Sequence, residues 1–546
     1  MTLNHMEMCL AITSDLFKDA CSNLIQAWIQ SYKGVLSFEQ KCREEIKMNA
    51  LLNGLKQNTN FTNTENGGIT HKSTLSKVLD LFAMGGAYRN RNTNDILTLF
   101  TNAYHEDKLL ALKCLFYLRD VRGGQGERRF FRECLKWLAE NDSNVLVHNI
   151  LNIPEFGRYD DLYTLYGTNL QKGVMNYMKT QLVADMKTEH PSLLAKWMKS
   201  ENAHSKEGKQ LAKETREYFH WSAKQYRSTL SALRKKIDIV ERKMSSDHWT
   251  EINYPTVPSK AGLQYRKAFL RHDEQRYSDF INNKDTKVKA ATLYPYEIVE
   301  KAGALFHRAA NDIERKTVNK YWENLTDFVG DSNFSALCMV DTSGSMHGRP
   351  INAAISLGIY FAERANGPFK NHYISFSSKP QLVEMAGYDF VSKVQNIYNN
   401  CIVENTNIQA AFQMLLNTAK QFQVTDSDMP KNIIVISDME FDSATRGQYN
   451  YRKWCYESYD SDWTSDKIET TMETIANDWK AQGYTLPNLI YWNVDARQDN
   501  IPMIGGRVSY VSGFSPTIFE TIIKGKTGYD LMLDKLNSKR YESVTL

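Results

Sequence analysis

A chain of 546 residues exceeds what a single ordinary hydrophobic core organises, so two or three domains are expected. Hydrophobic residues at 42% and charged residues at 24% are ordinary for a soluble globular protein. The formal net charge of +4 hides an uneven distribution, because Lys196–Ala290 carries 21 Lys and Arg against 12 Asp and Glu and the remainder is slightly acidic. A polyanion would bind nearest that basic segment, unless the segment is simply a solvated helical face. No apolar run approaches the ~18 residues that span a bilayer, and the N-terminus lacks the pattern of a secretion signal. The eight cysteines (Cys9, Cys21, Cys42, Cys114, Cys134, Cys338, Cys401 and Cys455) include no C-x-x-C pair. They suit buried free thiols in a reducing compartment, not a disulfide framework or a zinc site. The expectation is a soluble, cytoplasmic protein with no membrane association.

From the start to about residue 325 the pattern is helical. Apolar residues recur at three- and four-residue spacing in Leu10–Tyr32, Leu75–Met84, Asp95–Tyr104, Lys108–Arg119 and Phe130–Glu140. Asn58–Gly68 is a Thr/Asn/Gly-rich loop, and Gly123-Gly124-Gln125-Gly126 is a tight connection between helices. Short links between such helices imply antiparallel pairs stacked side by side, a degenerate HEAT-like α-solenoid. Glu155–Asp161 and Leu194–Met198 are dense in charged and aromatic residues. Interhelical packing, with Arg158 pairing an acid, is their expected role. Leu233–Met244 reads as one basic amphipathic helix, and Tyr265-Arg266-Lys267, Arg271-His272 and Arg276-Tyr277 follow at helical spacing. Cationic and aromatic side chains so placed can hold phosphates and stack on unpaired bases, or can form a wet surface.

After about residue 330, short apolar runs alternate with amphipathic helices. Ser335–Val340, His372–Phe376, Asn432–Ser437, Leu489–Val494 and Val508–Val511 read as strands. Ile351–Arg364, Ile408–Phe422, Lys467–Gln482 and a last stretch from Pro516 read as helices. Such alternation predicts a doubly wound, Rossmann-like α/β domain whose parallel sheet is covered on both faces. Its site would lie beyond the carboxyl ends of the strands. The expected division is N-terminal helices over 1–70, a helical repeat array over 71–325 and the α/β domain over 326–546.

Directly after the first strand stands Asp341-Thr342-Ser343-Gly344-Ser345-Met346. A carboxylate and two hydroxyls at i, i+2 and i+4 put hard oxygen donors on one concave loop, suited to Mg²⁺, Mn²⁺ or Ca²⁺. Thr406, ahead of the helix at Ile408, and Asp438, after the strand NIIVIS, can reach the same sheet edge. The plainer alternative is that Asp341 and the serines cap the following helix. A nucleophilic serine is disfavoured: neither serine lies in G-x-S-x-G, His347 is too near in sequence to act as base, and H-E-x-x-H and Walker motifs are absent.

The ordered set DTSGS, NTN and SDME resembles the metal-ion-dependent adhesion site (MIDAS) of von Willebrand factor A (vWA) domains. The resemblance implies hydroxyl ligation by Ser343, Ser345 and Thr406, action of Asp341 mainly through water, and charge balance from Asp438. It also implies one open coordination position that a partner's carboxylate fills. The segments LFYLRDVRGGQGERRFF, IPEFGRYDDLY, LLAKWMKSEN and VDTSGSM resemble TROVE-related proteins of bacteria and viruses, over most of the chain from about residue 70. By architecture the chain is similar to the Ro ribonucleoprotein (TROVE) family. That resemblance implies a helical array closing into a ring that binds small structured or misfolded RNA, without identifying the contacting residues here. The expected function is a non-catalytic RNA-binding scaffold whose vWA domain engages a protein partner through a divalent ion. The alternative is a metal-dependent protein-interaction scaffold with no RNA role.

Overall fold

The computed structural model describes residues 55–56, 59–306, 312–330, 332, 334–376, 378–399, 405–443, 469–505 and 507–546. The helix expected over Leu10–Tyr32, and Cys9, Cys21, Cys42, Cys401 and Cys455, lie outside them. Cys114, Cys134 and Cys338 are buried free thiols. Thr62–Leu546 form one compact unit.

A short ribbon, β1 (Phe61–Asn63) and β2 (Ile69–His71), encloses the Thr64–Gly68 part of the expected loop as its turn. Helices then dominate to Glu323, as the spacing of apolar residues requires. Lys77–Met84 starts at Ser76, whose hydroxyl accepts from Leu79 N, and Thr93–Glu106 starts at Asn92, whose side chain accepts from Asp95 N. Lys108–Arg119 starts at Asp107, whose carboxylate accepts from Leu110 N. Arg128–Asn141 turns Phe130, Phe131, Cys134, Leu135, Leu138 and Ala139 inward.

The charged stretches act as interhelical pins. Asp161 is fully buried and accepts from Arg119 Nε (2.9 Å) and from Arg132 Nε (2.7 Å). Arg158 pairs with Asp160 at 3.2 Å and lays its guanidinium 4.3 Å from the Trp197 ring centroid. The expected single helix over Leu233–Met244 is broken. One helix ends at Lys236 and another spans Val240–Ser245, with Asp238 left-handed at φ +56° between them. Aspartate tolerates that conformation, and Lys243 Nζ fixes its carboxylate at 2.7 Å. The intervening turn, not periodicity, decides the path.

Among the described residues the α/β half holds six strands in the order β5-β4-β3-β6-β7-β8. They are β3 (Ala336–Asp341), β4 (His372–Phe376), β5 (Gln381–Glu384), β6 (Asn432–Ser437), β7 (Asn488–Asn493) and β8 (Val508–Ser512). Five are parallel. The sheet is nevertheless mixed, because β5 is an antiparallel edge on β4, a correction to the all-parallel expectation. Helices cover both faces. Trp492 packs on Phe519 (4.9 Å between rings), which in turn stacks near Phe361 of helix Arg349–Arg364. The neighbouring Tyr491 points the other way, toward Tyr510 and Phe441.

The helical half and the sheet share one core. Helix Lys77–Met84 packs against the edge strand β8, protecting it from pairing with another chain. Ser512 Oγ donates to Phe82 O and accepts from Gly86 N. The Gly123–Gly126 connection docks beyond β8: Gln125 donates to the Tyr117 hydroxyl and accepts from Ser515 N. Gly126 has φ +68°, and a Cβ there would lie 1.8 Å from the Tyr294 hydroxyl, so only glycine fits. The C-terminal end returns to the helices, with Arg540 forked onto buried Asp120 (2.7 and 2.9 Å) and Tyr541 stacked on Phe156. Among the described residues no helix is long and apolar enough to cross a membrane.

Candidate metal centre

Strand order places the site. From β3 the chain moves to β4 on one side and later to β6 on the other, which makes the carboxyl end of β3 a topological switch point. Asp341 ends β3 and Asp438 directly follows β6, so both carboxylates fall in that crevice. Asp341 is fully buried. Its Oδ1 accepts from Ser343 N at 2.9 Å and its Oδ2 from Ser437 Oγ at 2.5 Å. Asp438, 1% exposed, accepts from Glu440 N at 3.1 Å through Oδ1. Ser343 Oγ and Ser345 Oγ lie 3.0 Å apart.

Neither serine's side chain caps a helix. The helix Arg349–Arg364 begins at Gly348 with no side-chain cap. Thr406 is buried and also free of capping duty, because the neighbouring Asn407 caps helix Ile408–Gln421 by accepting from Ala410 N. The Thr406 carbonyl accepts from Asp442 N at 3.0 Å, tying its loop to the loop after β6. Asp341, Ser343, Ser345 and Asp438 are thus gathered at adjacent strand ends, and Thr406 is fastened to the same loop system.

The structure adds residues that sequence reasoning missed. Arg497, in the loop after β7, donates through Nη2 to Asp438 Oδ2 (2.9 Å) and pairs through Nη1 with Glu65 Oε2 (2.8 Å). Glu440 is buried, with its carboxylate held by Asn500 Nδ2 (2.7 Å) and by Glu65 N (2.7 Å). Glu65 belongs to the turn between β1 and β2, and its neighbour Asn66 donates to Glu440 O (2.6 Å) and to Thr406 Oγ1 (3.4 Å). A Cβ on Gly68 would come within 2.5 Å of Phe441 O, so glycine permits this close approach. Nothing local in the sequence signals a turn packed on loops more than three hundred residues away. Met439, buried and non-glycine at φ +67° immediately after Asp438, carries the kind of backbone strain that gathers at functional sites, and only the structure shows it.

The crevice raises the pKa of Asp341 and Glu440. Burial pushes the Asp341 carboxyl well above the usual carboxylate range and the charge of Asp438 raises it further, against hydrogen bonds from Ser437 and Ser343. Burial also raises Glu440 to about 7. A carboxyl whose folded pKa is raised contributes stability at low pH that is lost as pH rises through that value. The metal-free protein should therefore melt at a lower temperature at about pH 8 than at about pH 5.5. Stabilisation by added Mg²⁺ or Mn²⁺ should grow over the same interval, as Asp341 deprotonates. Thermal melts with and without EDTA at the two pH values check both slopes.

The donor set selects the ion class. Among the described residues no group of three or more His, Cys, Asp or Glu side chains is placed to hold a metal. Any ion at this edge must rely on hydroxyls beside carboxylates, which suits a hard cation and not zinc or copper. The residues fit such an ion, with one qualification: Arg497 already occupies one oxygen of Asp438.

Fold and site together define a helical array joined to a mixed six-stranded α/β domain with an oxygen-lined crevice at its switch point. Residues 64–191 and 179–333 match a family model described as a domain of unknown function (DUF2828), and residues 335–543 match another, likewise a domain of unknown function (DUF7788). Uncharacterized protein L728 of Acanthamoeba polyphaga mimivirus is 25% identical over 514 residues, covering 86% of this chain and 85% of that protein. The crystal structure of the Deinococcus radiodurans Ro (RSR) protein aligns with a TM-score of 0.32 at 12% identity, over 83% of this chain and 100% of that one.

Proposed function

We propose that this chain is a non-catalytic docking scaffold of vWA type, in which Asp341, Ser343, Ser345, Thr406 and Asp438 hold one divalent cation, Mg²⁺ in the cell. The observation that carries the proposal is the meeting of two buried carboxylates with a mutually hydrogen-bonded pair of serine hydroxyls at the switch point, where neither serine's side chain caps a helix. The ion offers an open position to a carboxylate of a protein partner. Ser343, Ser345 and Thr406 offer their hydroxyls to the ion, Asp341 acts mainly through water, and Asp438 balances charge. Binding of one Mn²⁺ per chain, lost on Asp341→Asn substitution, tests the proposal.

The helical half is proposed to bind RNA. Support comes from a cleft of about 1280 Å³ at the end of the basic segment, lined by Lys284, Lys287, Lys289, Lys316 and Lys320 with Glu323 as its acid. Lys320 Nζ is committed to backbone carbonyls, and Lys316 pairs with Asp312. Lys284, Lys287 and Lys289 are exposed. No aromatic ring lines the cleft, so contacts would be to phosphates and insensitive to sequence. Binding of single-stranded RNA should weaken with salt with a log–log slope of about −2, as expected for three phosphate contacts. Absence of any shift at low salt would leave the scaffold without an RNA role.

A further inference from the structure

We propose that Arg497 is the resident counter-charge of Asp438, and that Glu65, fixed in the β1–β2 turn, is the second acceptor that draws Arg497 aside when a divalent cation enters. The inference rests on the cation site proposed above. It follows from how the guanidinium is shared. Nη2 lies 2.9 Å from Asp438 Oδ2 and Nη1 lies 2.8 Å from Glu65 Oε2, while the buried Nε has no hydrogen-bond partner. An arginine tied to one purpose commonly satisfies its donors in a fixed fork; this one is divided between two acids and left incomplete.

The surroundings make it a gate of charge without requiring a hinge of backbone. The Arg497 carbonyl accepts from Arg91 Nη1 at 2.6 Å, and Ala496 N donates to Ala87 O, so the helical half holds this loop in place. The opposing turn is equally fixed. Thr64 Oγ1 donates to Phe441 O at 2.6 Å, Asn66 Nδ2 to Glu440 O at 2.6 Å, and Gly67 bridges to Asp442. Glu65 therefore waits at a set place with its carboxylate partly exposed. Only the guanidinium need shift. While it sits on Asp438, one carboxylate oxygen is withheld from an ion or from ion-bound water, and the crevice keeps a positive charge that opposes a second one. Leaning on Glu65, it releases that oxygen at little cost, because the ion pair lost on one side is kept on the other.

Arg497 is thus a positioning residue, and Glu65 acts through it. The test is Mn²⁺ affinity of the full chain, read by electron paramagnetic resonance, for the wild type, Arg497→Ala, Glu65→Gln, the double variant and Asp341→Asn. Removing the competing cation should tighten Mn²⁺ by about tenfold. Removing the second acceptor should weaken it several-fold, and that loss should vanish in the Arg497→Ala background. Arg497→Lys, which keeps the charge but not the fork, should stay within about threefold of wild type. Glu65→Gln is nearly isosteric and partly exposed, so it keeps the test open if Arg497→Ala misfolds. If Mn²⁺ binds and is lost in Asp341→Asn, yet the Arg497 and Glu65 effects are absent or simply additive, the gate is refuted and the cation site stands. If no variant binds Mn²⁺, both fall together.

Discussion

Asp341→Asn is expected to raise the melting temperature of the metal-free protein above neutral pH while abolishing any gain from added Mg²⁺ or Mn²⁺. Two effects of opposite sign act at one residue. In the metal-free crevice Asp341 is a fully buried carboxylate beside Asp438, and burial and like charge both disfavour its ionised form. Asparagine has the same outline, can still accept from Ser343 N, and removes the repulsion. In the proposed cation-bound state the wild-type carboxylate holds the ion mainly through water. At a hundredfold excess over its Kd an ion stabilises the native state by about 2.7 kcal/mol. The variant should lose that whole response. A residue serving only to hold a loop would lower stability in both conditions, so melts of both proteins with EDTA and with Mn²⁺ separate the two roles.

Asp161→Ala should cost about 3–5 kcal/mol, because it leaves Arg119 and Arg132 without their shared carboxylate. Arg119 is 2% exposed and Asp161 fully buried, and Asp161 also accepts from Arg158 N at 3.0 Å. Gly157 passes so close that a Cβ would sit 2.4 Å from Asp161 Oδ2, so neighbouring groups cannot easily fill the space. Arg122→Ala makes the contrast. Arg122 faces Glu155 at 3.9 Å with both side chains more than half exposed, and its loss should change stability little. Urea denaturation of the two variants decides whether the IPEFGRYDDLY stretch is a structural pin.

Much of the α/β half is legible because its strands are continuous apolar runs. ALCMVD and NIIVIS are buried at every position, as a central parallel strand must be. The edge strand QLVE is mostly exposed and carries no such run, and it pairs only through its partner's register. Helix Phe390–Asn399 follows it and is absent from the sequence expectation, although Asp389 stands at its start and accepts from Ser392 N at 2.8 Å. In the helical half, Leu233 and Val240 keep a shared helical face on paper, yet Asp238 turns the chain between them. Apolar spacing does not register a left-handed residue, even where its partner, here Lys243, lies close in sequence.

The candidate site divides along the same line. Asp341, Ser343, Ser345, Thr406 and Asp438 stand next to strand and helix ends, so residue type and position announce them. Glu65, Asn66, Glu440 and Arg497 matter through contacts that join the turn of a short ribbon to loops after β6 and β7. Read alone, Glu65 and Asn66 are members of a polar loop, and Arg497 is one charge among many. Three-dimensional proximity gives them a role that composition does not.

Equilibrium Mn²⁺ binding to the intact chain tests the central claim most directly. One Mn²⁺ per chain, bound in wild type and weakened by at least about a hundredfold in Asp341→Asn without loss of folded structure, is the result expected of a residue at the ion, given that outer partners alone commonly cost ten- to a hundredfold. Failure to bind Mn²⁺ at millimolar concentration, or equal binding by both proteins, would contradict it.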